Sequence, residues 1–408
     1  MEILPIIYLS YMFISLYFLS FYLLLYLRNR NTLFESPKLK THFSVSVLIP
    51  AYNEEDSIQK TVESVLNSDY DNIKEIFILD NNSKDKTAEI SKSLEKKYKK
   101  VKYILANIQG KANAINMGIK LSKSELIAIV DADSFPAKDA ISKMVGFFED
   151  PQVGAATVPI LARNRSKFFE KLQAIEYSAI ATTRKLLEGV DAIYVTPGPL
   201  ALYRKTALES VGGFDNKNLT EDIEITWHLT AAGWKRKMCL DTRVTTVVPT
   251  KFKTWFKQRQ RWSMGGMQTI GKYKSHFFKR DTMIGNFVLP FFILSTFLGL
   301  LGLSIFIYLI ITRIINQFLL IRFEIIAKTA VVSLDRFYFT PSVLNYLGIV
   351  LFLIGAAFTL LVLSLMKEDI FKRQSLLQIL FYLIVYIAIY PFILVTAIFK
   401  LVRRDMSW

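Results

Sequence analysis

The chain of 408 residues is poor in the side chains that staple or metallate small proteins. Cys239 is its only cysteine, so no intrachain disulfide and no cysteine-based zinc site can form. His42, His228 and His276 are too scattered to make a metal cluster and read as surface or packing residues. Acidic residues are also scarce, 35 against 51 lysines and arginines, which leaves a formal net charge of +16. Such a charge suits nucleic acid or an anionic membrane leaflet. The placement of the basic residues favours the membrane. Arg28 and Arg30 follow one apolar span, and Lys272, Lys274, Lys279 and Arg280 precede another. No nucleic-acid partner is expected.

Hydrophobic residues make up 52% of the chain, more than a soluble protein carries and less than a pure membrane bundle. Residues 3–27 are apolar enough to cross a hydrocarbon core of about 30 Å. No basic residue precedes them and no small-residue cleavage site ends them, so an anchor (1–30) is expected rather than a signal peptide. Arg28 and Arg30 put its C-terminal end in the cytoplasm. Further spans are expected at about 285–311, 343–365 and 376–399, within a membrane region 281–408. The stretch 314–334 carries Arg322, Glu324 and Lys328 and reads as an interfacial or protein-packed helix. Lys400, Arg403 and Arg404 favour a cytoplasmic tail, which would need a fifth crossing, and the topology stays open.

Residues 43–250 read as an α/β domain. Val45–Ile49, Ile76–Leu79 and Leu126–Val130 are short, β-branched runs of the kind buried on both faces of a parallel sheet. Helical stretches separate them, one with Ile58, Val62, Val65 and Leu66 on a single face behind Asp56 or Ser57, another running to Lys97 behind Ser83 or Asp85. Residues 251–280 place Phe252, Trp255, Phe256, Trp262, Met267, Ile270 and Tyr273 largely at helical spacing, many at three- and four-residue steps, among basic residues, as a helix in a membrane interface would. Trp255 is expected to be a membrane anchor.

Ligands of parallel sheets bind beyond the carboxyl ends of the strands. Three such ends carry polar residues: Tyr52, Asn53 and Glu54; Asp80; and Asp131 with Asp133. In an extended segment Asp131 and Asp133 point to one side and can share a hard divalent cation with phosphates. Asp222 follows Thr220 and Glu221 at a helix start, whose dipole should keep it ionised to accept a proton. Lys111 opens another helix and could neutralise a phosphate. On the amphipathic stretch, Gln258 and Arg261 could bind phosphate oxygens, and Trp262 offers a flat face to a sugar.

Asp80, Asp131-Ala132-Asp133, Thr220-Glu221-Asp222 and Gln258 to Trp262, in that order, resemble the membrane-embedded members of glycosyltransferase family 2, the cellulose, hyaluronan, chitin and poly-N-acetylglucosamine synthases. The resemblance covers roughly residues 45–270 and implies a GT-A fold, an α/β Rossmann-like and mainly parallel sheet, joined to a helical transmembrane region. It implies an inverting enzyme whose donor is a nucleotide-diphosphate sugar, most often a UDP-sugar. Tyr52, Glu54 and Asp80 would hold the nucleoside, with Lys111 near the nucleotide. Asp131 and Asp133 would hold Mg²⁺ or Mn²⁺, Asp222 would be the general base, and Gln258 and Arg261 would bind diphosphate. Trp262 would seat the acceptor sugar, and Glu221 lies beside the base in the same motif. Pro197-Gly198-Pro199-Leu200 resembles the acceptor-side loop of hyaluronan and chitin synthases, whereas Gly265-Gly266 is more like poly-N-acetylglucosamine synthases. The acceptor would be a growing polysaccharide at the cell membrane, with a membrane lipid such as a polyprenyl phosphate or glycolipid as the alternative. A non-catalytic scaffold or transporter is the third class. The catalytic domain would face the cytosol, and a homo-oligomer or accessory subunit is compatible with the sequence.

Overall fold

The structure, a computed structural model, describes residues 3–279, 282–327, 343–366 and 370–405. It opens with helix α1 (Ile3–Asn29). The first half of the α/β region then runs β1 (Val45–Ala51), α2 (Ile58–Leu66), β2 (Ile73–Asp80), α3 (Thr87–Lys97), β3 (Val101–Leu105), α4 (Lys111–Leu121) and β4 (Leu126–Ile129). The second half runs β5 (Ser134–Pro136), α5 (Ala140–Val145), β6 (Val153–Thr157), β7 (Ile160–Ala162), α6 (Phe168–Glu188), β8 (Ala201–Arg204), α7 (Lys205–Ser210), α8 (Glu221–Ala231), β9 (Lys235–Met238) and β10 (Val244–Thr246). The remaining helices are α9 (Phe252–Tyr273), α10 (Leu289–Ile326), α11 (Val343–Leu365), α12 (Ile370–Arg373), α13 (Leu376–Phe381) and α14 (Tyr390–Val402).

Seven strands form one sheet in the order β3-β2-β1-β4-β8-β6-β9. The expected parallel half is there: β1 lies between β2 and β4, with Ala51 beside Asp80 and Leu48 beside Ile129. Every residue of β1 is buried, which its run of valine, leucine and isoleucine requires. Fully burying each such side chain stabilises the fold by roughly 1.5–3 kcal/mol. Side chains of alternate parity fill the two faces: Val47, Ile49, Ile76 and Ile78 pack on one, Leu48, Phe77, Leu79 and Ile127 on the other. The sheet is not wholly parallel. β8 runs antiparallel to both β4 and β6, which brings the residues before Ala201 alongside the carboxyl end of β4. A small sheet, β5-β10-β7, adds a second wall beyond that end.

Among the described residues, four helices are long and apolar enough to cross a membrane: Pro5–Asn29, Ile284–Ile326, Tyr346–Leu365 and Leu376–Val402. Two expectations need correcting. The stretch from 314 is not a separate interfacial or protein-packed helix. As far as Ile326 it continues α10 without a break, largely exposed, and residues 328–334 lie outside the described residues. At 1.5 Å per residue a 43-residue helix is about 64 Å long, twice a hydrocarbon core.

The second correction concerns α9. It does not lie free in an interface, because Trp255, Arg259, Gln260, Met264, Thr269 and Tyr273 are buried against the rest of the protein. Trp255 is fully buried and packs edge-on against Phe169, with Tyr386 and Tyr390 also around it. Its large area is covered by protein, so it is a core residue rather than a membrane anchor. Trp255→Ala is therefore expected to lower unfolding stability by about 3–5 kcal/mol. Denaturation of the detergent-solubilised protein checks this. Unchanged stability with weakened membrane retention would restore the anchoring role.

Candidate active site

The candidate residues come from segments far apart in the chain. A cavity of about 480 Å³ is lined by Lys111, Asp131, Asp133, Gly198, Glu221, Asp222, Gln258, Arg261 and Trp262. Tyr52, Glu54 and Asp80 lie outside its lining, at the adjoining ends of β1 and β2. Asp80 is buried and accepts hydrogen bonds from the Ser83 amide (3.0 Å) and the Tyr103 hydroxyl (2.9 Å). Glu54 accepts from Ser57 Oγ at 2.6 Å. Burial raises its carboxyl above the usual range against that bond, and the charges of Asp133 and Asp131 add to the rise. Tyr52 is exposed.

Asp131 and Asp133 do not owe their arrangement to an extended strand. The chain turns there, with the Ser134 amide donating to the Asp131 carbonyl at 3.0 Å and the Asp131 amide donating to the Gly198 carbonyl at 3.1 Å. The turn still points both carboxylates into the cavity. Asp133 accepts from Ser134 Oγ (3.1 Å) and Thr246 Oγ1 (3.4 Å), the latter from the end of β10. Burial, and then the charge of Asp131, push its carboxyl up.

Lys111 starts α4 and places Nζ 2.7 Å from Asp131 and 2.8 Å from Glu221. Burial alone would depress this ammonium, but the two carboxylates win and hold it above its ordinary value. Glu221 in turn is held low: burial opposes, and the Lys111 charge prevails. Asp222 behaves differently. Burial and the neighbouring Glu221 charge push its carboxyl up to about 6, more than Lys111 and Arg261 pull it down. The helix dipole at the start of α8 does not decide its ionisation.

Two glycines fit because nothing larger would. A Cβ on Gly198 would lie 2.8 Å from both Asp131 carboxylate oxygens and from Lys111 Nζ. A Cβ on Gly265 would lie 2.2 Å from Thr220 Oγ1, so α9 can approach the start of α8 only with glycine there, whereas Gly266 faces open space. Asn218 and Gln268 complete this junction: Asn218 donates to Thr269 Oγ1 at 2.9 Å, and Gln268 accepts from the Leu219 amide at 3.0 Å.

The donor set suits a hard divalent cation. Among the described residues no group of three or more His, Cys, Asp or Glu side chains could hold a metal by itself. Asp131 and Asp133 offer two carboxylates, crowded enough to raise Asp133, and leave the other positions to a ligand's phosphates and water. This is the usual division of labour for Mg²⁺.

Sequence reasoning missed two arginines. Arg184 of α6 lines the cavity and is buried; its Nε has no hydrogen-bond partner, while its guanidinium interacts with Tyr194. Arg259 is buried against Glu176 and sits between two of the expected motif residues. Neither had a signal, because no local pattern marks Tyr194 as the partner of Arg184 or Glu176 as the partner of Arg259.

A buried, mostly parallel sheet with carboxylates gathered beyond its strand ends, next to apolar helices, defines a GT-A-like glycosyltransferase fold. Residues 46–212 match the family model Glycosyl transferase family 2, so the chain carries a domain of that family. It is 34% identical over 245 residues, 59% of each chain, to a poly-beta-1,6-N-acetyl-D-glucosamine synthase of Staphylococcus epidermidis. It is 33% identical over 228 residues, 55% of each chain, to the protein of that name from Staphylococcus aureus. The matches span little more than half the length of these relatives. The mannosyltransferase PcManGT of Pyrobaculum calidifontis, solved in complex with GDP-Man and Mn²⁺, shares the fold over 98% of this chain and 99% of its own, with a TM-score of 0.60 at 18% identity.

Gly265→Ala is expected to force α9 away from Thr220 and so separate Arg261 and Trp262 from Asp222. Nucleotide-sugar turnover should fall by roughly 100-fold, the cost of a displacement of about 1 Å at a reacting centre. Gly271→Ala, at an exposed position of the same helix with open space around it and outside the cavity lining, should have little effect. Equal activity of the two variants would show that the α8–α9 approach does not set the site.

Proposed function

We propose that the protein transfers a sugar, with inversion, from a nucleotide-diphosphate sugar to a growing polysaccharide at the cell membrane, with the α/β domain in the cytosol. The observation that carries this reading is the shared cavity: Asp131 and Asp133, Asp222, and Gln258 with Arg261 and Trp262 line one space although they lie on three separate parts of the chain. The poly-N-acetylglucosamine synthase relatives make UDP-N-acetylglucosamine the first donor to test.

Position supports the following roles. Tyr52, Glu54 and Asp80, at the ends of β1 and β2, hold the nucleoside beside the cavity. Asp131 and Asp133 would hold Mg²⁺ or Mn²⁺, which would supply electrostatic stabilisation to the departing diphosphate. Gln258 and Arg261 face the same diphosphate, Arg261 with a planar fork suited to phosphate oxygens. Lys111 keeps Asp131 and Glu221 in place and offsets part of their negative charge near the nucleotide. Trp262 presents its ring to the acceptor sugar, whose axial C–H face is apolar, and Gly198 leaves room on the acceptor side. Asp222, with its carboxyl poised near 6, takes the proton of the attacking hydroxyl. The hydroxyl oxygen bonds to the anomeric carbon, the bond from that carbon to the diphosphate breaks, and configuration inverts.

A second reading, transfer of one sugar to a membrane lipid, has its own support. The cavity is also lined by Phe292 and Thr296 of α10 and Leu394 of α14, so it opens among helices apolar enough to lie in a bilayer. Product size separates the two. Membranes given labelled UDP-N-acetylglucosamine and Mn²⁺ should make a long, glycosidase-sensitive polymer. A single labelled sugar in the organic phase would favour the lipid acceptor, and no turnover with any nucleotide sugar would refute both.

Asp222→Asn is expected to lower transfer by about 10²–10⁴-fold while leaving nucleotide binding nearly intact. Because the base must be ionised, the wild-type rate should decline as pH falls through about 6 and level off above it. A variant that turns over normally, or a rate that rises as the pH falls below 6, would remove Asp222 from that role.

A further inference from the structure

Glu176 of α6 and Arg259 of α9 form a buried ion pair, with side chains 3% and 1% exposed. Arg259 Nη2 donates to Glu176 Oε2 at 2.6 Å and Nε to Oε1 at 3.1 Å. Two tyrosines of the last membrane-length helix complete the carboxylate. Tyr386 donates to Oε2 at 2.7 Å and Tyr390 to Oε1. Thus Glu176 accepts at both oxygens, from a guanidinium and from two phenols.

Besides Glu176, Arg259 contacts Tyr390, whose hydroxyl accepts from Nε at 3.2 Å, and the rings of Tyr177 and Trp255, with centroids at 5.6 and 5.7 Å. Two more contacts of Arg259 reach residues of the proposed machinery. Its Nη1 donates to Gln258 Oε1 at 2.6 Å, and its guanidinium lies 4.1 Å from the centroid of the Trp262 ring. Gln258 and Trp262 line the cavity; Glu176, Arg259, Tyr386 and Tyr390 do not. An ion pair placed here for stability alone needs no such reach, and well-packed apolar residues often serve as well. One guanidinium therefore fixes the amide of Gln258 and the plane of Trp262 at once, and is itself fixed by tyrosines from the membrane region.

We propose that Arg259, clamped by Glu176, Tyr386 and Tyr390, is a positioning residue for sugar transfer: it orients Gln258 toward the donor diphosphate and Trp262 toward the acceptor, and it makes their geometry depend on the helix that carries Tyr386 and Tyr390. This rests on the glycosyl-transfer reading above. It assigns roles to four residues that touch neither donor nor acceptor. Two of them lie in a membrane-length helix, where a change would ordinarily be expected to alter only insertion or stability.

The test uses the full chain in lipid nanodiscs and measures melting, UDP affinity and transfer from UDP-N-acetylglucosamine. Arg259→Lys keeps a cation for Glu176 but cannot also reach Gln258 or lie flat on Trp262. Tyr386→Phe with Tyr390→Phe leaves the ion pair and removes its two phenolic donors. In both variants melting should fall as buried donors to Glu176 are lost, and, per folded molecule, UDP affinity should fall about tenfold and transfer by roughly 100-fold, with the acceptor KM raised. Tyr308→Phe, exposed on α10, should match wild type throughout. The proposal is overturned if either variant keeps wild-type UDP affinity and at least half the wild-type kcat/KM, or if activity falls only in proportion to lost folded protein. Should Arg259→Lys fail to fold, the tyrosine variant decides. Absence of transfer by the wild type would refute the function, and UDP affinity in the variants would still decide the positioning.

Discussion

The site depends on the bridge that Lys111 makes between Asp131 and Glu221. Asp131 stands at the end of β4 and Glu221 at the start of α8, and neither the sheet nor the helix alone would bring them together. Four carboxylates line this one cavity: Asp131, Asp133, Glu221 and Asp222. Charges packed so closely repel, and burial would penalise each. One ammonium relieves two of them and leaves the other two high, Asp133 raised and Asp222 at about 6. That division separates the groups by task. The pair bridged by Lys111 sets the frame, with Glu221 held low by that charge, while Asp222 keeps an affinity for a proton near neutral pH, as the general base proposed for it should.

The frame extends outward in two directions. Gly198 lets the chain before β8 press against Asp131 and Lys111, and the antiparallel course of β8 brings it there. Gly265 lets α9 press against Thr220, next to Asp222. Beyond α9, the Glu176–Arg259 pair ties the same helix to α6 and to Tyr386 and Tyr390. A continuous set of contacts therefore joins the sheet ends to the membrane-length helices. In the proposed reaction this lets one connected set of contacts hold both the donor side and the acceptor side.

Much of this was legible in the sequence, for identifiable reasons. β1, β2 and β4 announce themselves as β-branched runs, and a parallel sheet places its polar strand ends at one edge. Asp131 and Asp133 could thus be read as site candidates without coordinates, whereas Asp222, at a helix start, and Trp262, on an amphipathic stretch, were joined to them by the resemblance of the ordered motifs. What stayed hidden depends on partners distant in the chain. The reversal of β8 follows from pairing with β4 and β6, which no local pattern encodes. Trp255 and Tyr273 carry the periodicity of an interfacial helix, and the same periodicity serves a helix buried against protein. Arg259 looked like a spacer between Gln258 and Arg261 because Glu176, 83 residues away, has no sequence mark of its own. The raised carboxyl of Asp222 arises from burial and from Glu221, which a helix-dipole argument from sequence does not weigh.

The most direct test of the central claim, that Asp131 and Asp133 complete a cation site together with a nucleotide diphosphate, is a Mn²⁺ titration of the purified protein followed by electron paramagnetic resonance, with and without UDP. Two carboxylates alone should bind the ion weakly, and UDP should tighten it strongly in the wild type but not in Asp131→Asn or Asp133→Asn. Mn²⁺ bound equally well without UDP, or bound equally well by both variants, would contradict the account.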